Sequence, residues 1–94
     1  MKVALIGTGG WGKNHARILS QLGVLTAICD TDDEKRKEFG KKYSVNSYKN
    51  FNEMLESENF DAAFVCTPTN THYQIATQLI QEKKDVFVEK PMTY

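Results

Sequence analysis

Three glycines and one aspartate near the start of the chain could bind a phosphorylated ligand. Gly7, Gly9 and Gly12 follow a short apolar run, and Asp30 ends the next one. Gly7 would allow a sharp turn, Gly9 a close approach of backbone to pyrophosphate, and Gly12 a tight contact between helix and sheet. Asp30 follows Gly12 at close to the usual interval of about 20 residues, and its carboxylate would accept hydrogen bonds from ribose hydroxyls. The spacing predicts a dinucleotide site, because a glycine turn that serves packing alone would leave Asp30 without a role.

These residues need strands and helices that bring them together, and the apolar pattern predicts such a framework. Five strands are expected at residues 3–6, 24–29, 45–48, 62–66 and 86–88, with helices between them. Right-handed crossovers place the strand that starts at 45 at one edge, followed by those that start at 24, 3, 62 and 86. The predicted fold class is α/β, a Rossmann-type doubly wound parallel sheet truncated to about five strands, with helices on both faces.

Helical spacing and capping residues predict which faces of the four helices are buried. Gly23 is expected to end the first helix, Thr31 with Glu34 to cap the second, and Asn50 with Glu53 to cap the third. The predicted inner stripes, in helix order, are Trp11, His15, Ile18 and Leu22; Phe39 and Tyr43; Phe51, Met54 and Leu55; His72, Ile75, Ala76, Leu79 and Ile80.

Composition excludes several classes of partner. Twelve Lys plus Arg balance twelve Asp plus Glu, so we expect no nucleic-acid partner. The apolar runs are too short to span a membrane, and a first strand that begins within the first three residues leaves no space for a signal peptide, so a cytoplasmic protein is expected. Cys29 and Cys66 follow strands that flank the first strand, which predicts two free thiols and no metal site.

Four residues from distant parts of the sequence are predicted to meet at one edge of the sheet. Gly7, Asp30, Thr67 and Lys90 each follow the carboxyl end of a predicted strand. The chain reverses direction across the sheet between the strands that start at 3 and 62, and open α/β sheets bind ligands there. This convergence is stronger evidence for a binding site than any one motif.

Three motifs together resemble the Gfo/Idh/MocA family of oxidoreductases. They are the glycine run 7–12 with Asp30, the segment Cys-Thr-Pro-Thr-Asn-Thr-His at 66–72, and Glu-Lys-Pro at 89–91. The resemblance covers all 94 residues, as the N-terminal domain alone. It implies hydride transfer between NAD(P) and a carbon of a sugar, cyclitol or related polyol, including nucleotide-linked sugars. NAD is expected rather than NADP, since Asp30 would repel a 2′-phosphate and Thr31 supplies no positive charge. Lys35 and Arg36 are nearby but lie a turn into the next helix.

The resemblance also assigns roles to individual residues. Lys90 is expected to be catalytic beside the nicotinamide, although a surface lysine next to a turn proline is the alternative. For His72 a packed structural histidine remains an equal alternative, and the Lys90–Pro91 bond is expected to be cis. The cofactor-binding set implied by the motifs is Gly7, Thr8, Gly9, Gly10, Trp11, Gly12, Asp30, Thr67, Pro68, Asn70, His72, Glu89 and Lys90.

The family pattern places the acid–base histidine and most substrate contacts in a second domain after Glu-Lys-Pro. Residues 1–94 are therefore expected to be the dinucleotide-binding domain of a longer oxidoreductase, inactive alone and homo-oligomeric at full length. Two alternatives remain at this point: a non-catalytic NAD-binding or sensing module, and a methyltransferase-type nucleotide fold. The second alternative has no role for Glu-Lys-Pro.

Overall fold

The computed structural model describes residues 1–7, 12–66 and 69–88, with the backbone alone at 12, 69–73 and 88. Strands and helices alternate along the chain. Their bounds are β1 Val3–Ile6, α1 Gly12–Gln21, β2 Leu25–Cys29, α2 Asp33–Tyr43, β3 Asn46–Tyr48, α3 Phe51–Ser57, β4 Ala62–Val65, α4 Thr69–Gln81 and β5 Asp85–Val88.

The five strands form one parallel sheet in the order β3-β2-β1-β4-β5. This is the predicted order, and it confirms the doubly wound topology. In β1, Val3, Ala4, Leu5 and Ile6 are all buried, as a strand covered on both faces must be. Helices α1 and α2 cover one face of the sheet, and α3 and α4 cover the other.

The predicted inner stripes of α2 and α3 are confirmed. Phe39 is buried against the sheet with Tyr43 partly buried beside it. Met54 is fully buried on the opposite face, where Phe51 and Leu55 pack around it. Both helices therefore pack against the sheet through the apolar residues that the sequence spacing predicted.

The predicted stripe of α1 is wrong in phase. Ile18 is 44% exposed and Leu22 69% exposed, whereas Ala16 and Leu19 are buried against the sheet. The small Ala16 side chain contacts the sheet in place of the larger residues, because α1 approaches the strands closely after the glycine turn. His15 lies on the flank of α1 and stacks on Phe64 of β4, with ring centroids 4.9 Å apart. His15 is therefore a packed side chain.

The predicted inner stripe of α4 is confirmed only in part. Leu79 is fully buried, while Ile75 and Ala76 are half-buried. Ile80 is 65% exposed, because it lies about 100° around the helix from Leu79. The side chain of His72 lies outside the described part of the chain.

Two helices end in the same hydrogen-bonded turn. After α1, Gly23 adopts φ 73° and its amide bonds to the Ser20 carbonyl, while the Val24 amide bonds to the Leu19 carbonyl. The same pair of bonds closes α4, with Lys83 at φ 61° in the position of the glycine. This is the Schellman motif, so the predicted role of Gly23 is confirmed.

Candidate functional site

The glycine turn begins directly at the end of β1. Gly7 is buried and adopts φ 89°, a backbone angle that a Cβ atom would oppose. Its amide donates to the carbonyl oxygen of Cys29, with an N···O distance of 2.7 Å. Gly12 is the first residue of α1, and residues 8–11 lie outside the described ranges. The turn is thus attached to the carboxyl end of the neighbouring strand.

Asp30 follows the carboxyl end of β2, and hydrogen bonds hold both its backbone and its side chain. Its amide donates to the Tyr48 carbonyl at the end of β3, with an N···O distance of 2.9 Å. Its Oδ1 atom accepts a hydrogen bond from the Asp32 amide at 2.8 Å. The carboxylate therefore has a defined orientation at the edge of the sheet, and the side chain is half-buried.

The predicted N-cap of α2, Thr31, is wrong by one residue. The N-cap is Asp32, whose Oδ1 atom accepts from the amides of Glu34 and Lys35 at 3.0 and 3.1 Å. Thr31 is not the cap, because the Asp32 amide is already bonded to the Asp30 side chain and residue 32 keeps an extended backbone. The predicted cap of α3 is confirmed, since Asn50 accepts from the amides of Asn52 and Glu53.

Arg36, which the sequence analysis placed a turn into the helix, lies beside Asp30. Arg36 Nη1 donates to the Asp30 carbonyl oxygen at 3.0 Å, and Nη2 pairs with Asp33 Oδ1 at 2.6 Å. The hydrogen bond and charge of Arg36 lower the pKa of the Asp33 carboxyl, so this carboxylate is ionised at neutral pH. The i,i+3 spacing of Asp33 and Arg36 in a helical first turn was the available sequence signal.

The thiol of Cys29 lies immediately before the acid turn. Burial is the main cause that raises its pKa to about 11, and the nearby Asp30 carboxylate adds to the shift while Arg36 opposes it. A thiol with so high a pKa stays protonated at neutral pH and is a poor nucleophile. Neither Cys29 nor Cys66 forms a disulfide bond, which confirms that both are thiols.

The amide of Cys66 at the end of β4 donates to the Ile6 carbonyl at 2.7 Å. The structure therefore brings together Gly7, Asp30 and the residue that precedes Thr67. Thr67, Pro68, Glu89 and Lys90 lie outside the described residues, as does the Lys90–Pro91 bond. Asn70 and His72 belong to the first turns of α4.

Two kinds of feature are absent from the described ranges. Those ranges contain no cluster of three or more His, Cys, Asp or Glu side chains that could hold a metal ion. None of the helices described is both long and apolar enough to cross a membrane.

Comparison with known proteins identifies the family. The sequence model of an oxidoreductase family with an NAD-binding Rossmann fold matches residues 1–94. The chain belongs to the Gfo/Idh/MocA oxidoreductase family. Membership argues against the methyltransferase-type alternative, since this family is defined by NAD-binding dehydrogenases.

Several Gfo/Idh/MocA proteins resemble this chain along its whole length. Myo-inositol 2-dehydrogenase from Thermotoga maritima is 36% identical over 99% of the chain. The crystal structure of myo-inositol 2-dehydrogenase from Lactobacillus plantarum is 33% identical over 97% of the chain, with a TM-score of 0.90. The WlbA dehydrogenase from Bordetella pertussis, solved with NADH and UDP-GlcNAcA, is 30% identical over 98%, with a TM-score of 0.88. The chain spans 29%, 28% and 29% of these three proteins, respectively.

Proposed function

We propose that this chain is the NAD-binding domain of an oxidoreductase that transfers hydride between the nicotinamide and a hydroxyl-bearing carbon of a sugar, cyclitol or nucleotide sugar. The hydrogen bond from Gly7 to Cys29 carries this proposal, because it fastens the glycine turn beside Asp30. Gly7 follows the end of β1 and Asp30 follows the end of β2. Both lie next to the point between β1 and β4 where the strand order reverses. Open α/β sheets bind dinucleotides at that position.

The described residues fit an NAD molecule with the adenosine at Asp30. Gly7 adopts a φ of 89° at the end of β1, and so starts the sharp turn that a phosphate-binding loop needs. Asp30 accepts the Asp32 amide with Oδ1, and a carboxylate has about four acceptor positions on its two oxygens, so it can also accept ribose hydroxyls. When bound, NAD supplies the hydride acceptor, whereas these residues only bind and orient it.

The remaining assignments are supported by the family resemblance. In this proposal Thr8, Gly9, Gly10, Trp11 and Gly12 bind the pyrophosphate. The segment Thr67, Pro68, Asn70 and His72 lines the nicotinamide half, Glu89 contacts its ribose or carboxamide, and Lys90 polarises the reacting hydroxyl.

The whole protein is proposed to contain a second, substrate-binding domain. The relatives named above support this, because each is more than three times as long as the aligned chain. Two free thiols are compatible with a cytoplasmic location, which we also propose. We further propose a homo-oligomer at full length, with no nucleic-acid or membrane partner.

Fluorescence titration with NADH tests the binding half of the proposal, with S-adenosylmethionine as the competing ligand. We expect NADH to bind and S-adenosylmethionine not to. Asp30→Asn keeps an oxygen for the Asp32 amide but loses the charge, and should weaken NADH binding about tenfold. Glu56→Gln removes the same charge from an exposed position on α3 and should leave affinity unchanged. Preferential binding of S-adenosylmethionine would overturn the proposal.

A turnover assay tests the proposed division of labour. The 94-residue chain and the full-length protein are compared with NAD and a panel of sugars, cyclitols and nucleotide sugars. The short chain should bind NADH yet show no turnover, because nothing positions a substrate against the nicotinamide. Equal turnover by the two proteins would contradict the need for a second domain.

A further inference from the structure

The guanidinium of Arg36 occupies a position from which it could determine cofactor choice. It folds back from the first turn of α2 to the carboxyl end of β2, where Nη1 lies 3.0 Å from the carbonyl oxygen of Asp30. Its other terminal nitrogen, Nη2, lies 2.6 Å from Asp33 Oδ1. The Arg36 side chain is only 17% exposed, whereas that of Asp33 is 64% exposed.

Dinucleotide-binding folds distinguish NAD from NADP with two kinds of residue. An acid binds the ribose 2′-hydroxyl in NAD-specific sites, and a nearby arginine accommodates the 2′-phosphate in NADP-specific sites. This chain carries both, since Arg36 contacts the backbone of the very acid that is proposed to bind the ribose. The presence of Arg36 alone would favour NADP, in conflict with Asp30.

The contact with Asp33 removes that conflict. A carboxylate and a guanidinium at 2.6 Å form a charge-assisted hydrogen bond, which is among the stronger polar contacts in proteins. Asp33 also lies in the first turn of α2, where the helix dipole favours a negative charge. The Nη2 atom of Arg36 is therefore occupied by Asp33, while Nη1 stays on the Asp30 carbonyl.

We propose that Asp33 is a specificity-determining residue: it engages the Nη2 atom of Arg36 beside the ribose-binding acid and so excludes nucleotides that carry a 2′-phosphate. The inference rests on the proposed NAD site and adds a second determinant to the repulsion by Asp30. Loss of the Asp33 carboxylate leaves Arg36 attached to the Asp30 carbonyl, but frees Nη2 to donate to a phosphate oxygen.

The test measures the dissociation constants of NADH and NADPH for four proteins and compares their ratio. These are the unsubstituted chain, Asp33→Asn, Glu34→Gln and the double variant Asp33→Asn/Arg36→Leu. Asp33→Asn should shift the ratio towards NADPH about tenfold, the value of one charge-assisted hydrogen bond. Glu34→Gln removes the same charge one residue away and should shift the ratio less than about twofold. The double variant should lose the gain.

The outcomes separate this inference from the proposed function. Equal shifts in Asp33→Asn and Glu34→Gln, or a gain that survives without Arg36, would show a general charge effect and overturn the role of Asp33. Asp33→Ala serves as the second variant. The asparagine of Asp33→Asn keeps an oxygen that Arg36 can donate to, whereas alanine removes this acceptor, so Asp33→Ala should give a shift at least as large as Asp33→Asn. An unsubstituted chain that binds NADH normally while no variant changes the ratio overturns the inference alone. An unsubstituted chain that binds neither nucleotide overturns the proposed function as well.

Discussion

The amide of Gly7 donates a hydrogen bond to the carbonyl oxygen of Cys29, with an N···O distance of 2.7 Å. This bond joins the turn after β1 to the residue that precedes Asp30. Two sequence motifs separated by a whole helix thereby become one structural unit. A substitution that disturbs the Gly7 turn should therefore also displace Asp30. A substitution that displaces Asp30 should likewise disturb the turn.

Gly7→Ala should reduce both stability and NADH binding. The residue has φ 89°, so a Cβ atom should cost about 1–2 kcal/mol of unfolding free energy. Gly23→Ala is the matched control, because it has a similar φ of 73°, no atom within 4 Å of the added Cβ, and a position at the opposite edge of the sheet. Chemical denaturation and NADH titration measure the two effects. Equal losses of NADH affinity in both variants would argue against a direct role for the Gly7 turn.

Lys83→Gly should stabilise the protein. Lys83 occupies the left-handed position of a Schellman turn, where α1 has a glycine. Relief of the strain should raise the free energy of unfolding by about 0.5–1 kcal/mol. Glu82→Gly, one residue earlier, should bring no gain. A destabilised Lys83→Gly variant would show that its side chain contributes more than its backbone costs.

Stability should fall at alkaline pH because of Cys29. Its pKa is raised from the ordinary 9.0 to about 11 in the folded state. Above pH 9 the unfolded chain loses this proton first, so folding becomes less favourable as the pH rises towards 11. Cys29→Ala and Cys29→Ser should each remove about 1–2 kcal/mol of this alkaline loss, as measured by urea unfolding at pH 8 and 10.5. An alkaline loss in both variants as large as that of the unsubstituted chain would contradict the assignment.

The apolar surface beside β5 should promote self-association. Phe87 is 48% exposed at the edge of the described sheet and stacks on Phe64, with ring centroids 5.0 Å apart. Exposed strand edges pair readily, whereas a charged side chain there discourages pairing. Sedimentation velocity should detect oligomers that grow with concentration, and Phe87→Lys should reduce them while Phe87→Leu does not. A chain that stays monomeric at every concentration would refute this expectation.

The strand order could be predicted because it depends on features that sequence displays directly. Continuous apolar runs mark buried parallel strands, and the handedness of crossovers leaves few arrangements. The orientation of α1 could not be predicted in this way, since two rows of residues have helical spacing. The row with the larger side chains, including Ile18 and Leu22, proved to be the exposed one. The close approach of α1 to the sheet favoured the small Ala16.

The candidate site, like the fold, could be predicted from the sequence only in part. Gly7 and Asp30 follow strands, so the topology alone places them at one edge. The Asp33–Arg36 pair depends on a side-chain rotamer that brings the guanidinium back to Asp30. The position of the α2 cap depends on a hydrogen bond between the Asp30 side chain and the Asp32 amide. The spacing of residues in the sequence does not show which of several nearby polar groups a side chain will bind.

An NMR titration of the ¹⁵N-labelled chain with NADH tests the central claim most directly, because it locates the bound nucleotide. At 10.7 kDa, the chain is well suited to backbone assignment. The account predicts that the largest amide shifts occur at Gly7 and Asp30, at the carboxyl edge of the sheet. Val24 and Lys83, at the opposite edge, should change little. Shifts concentrated at Val24 and Lys83, with Gly7 and Asp30 unaffected, would contradict it.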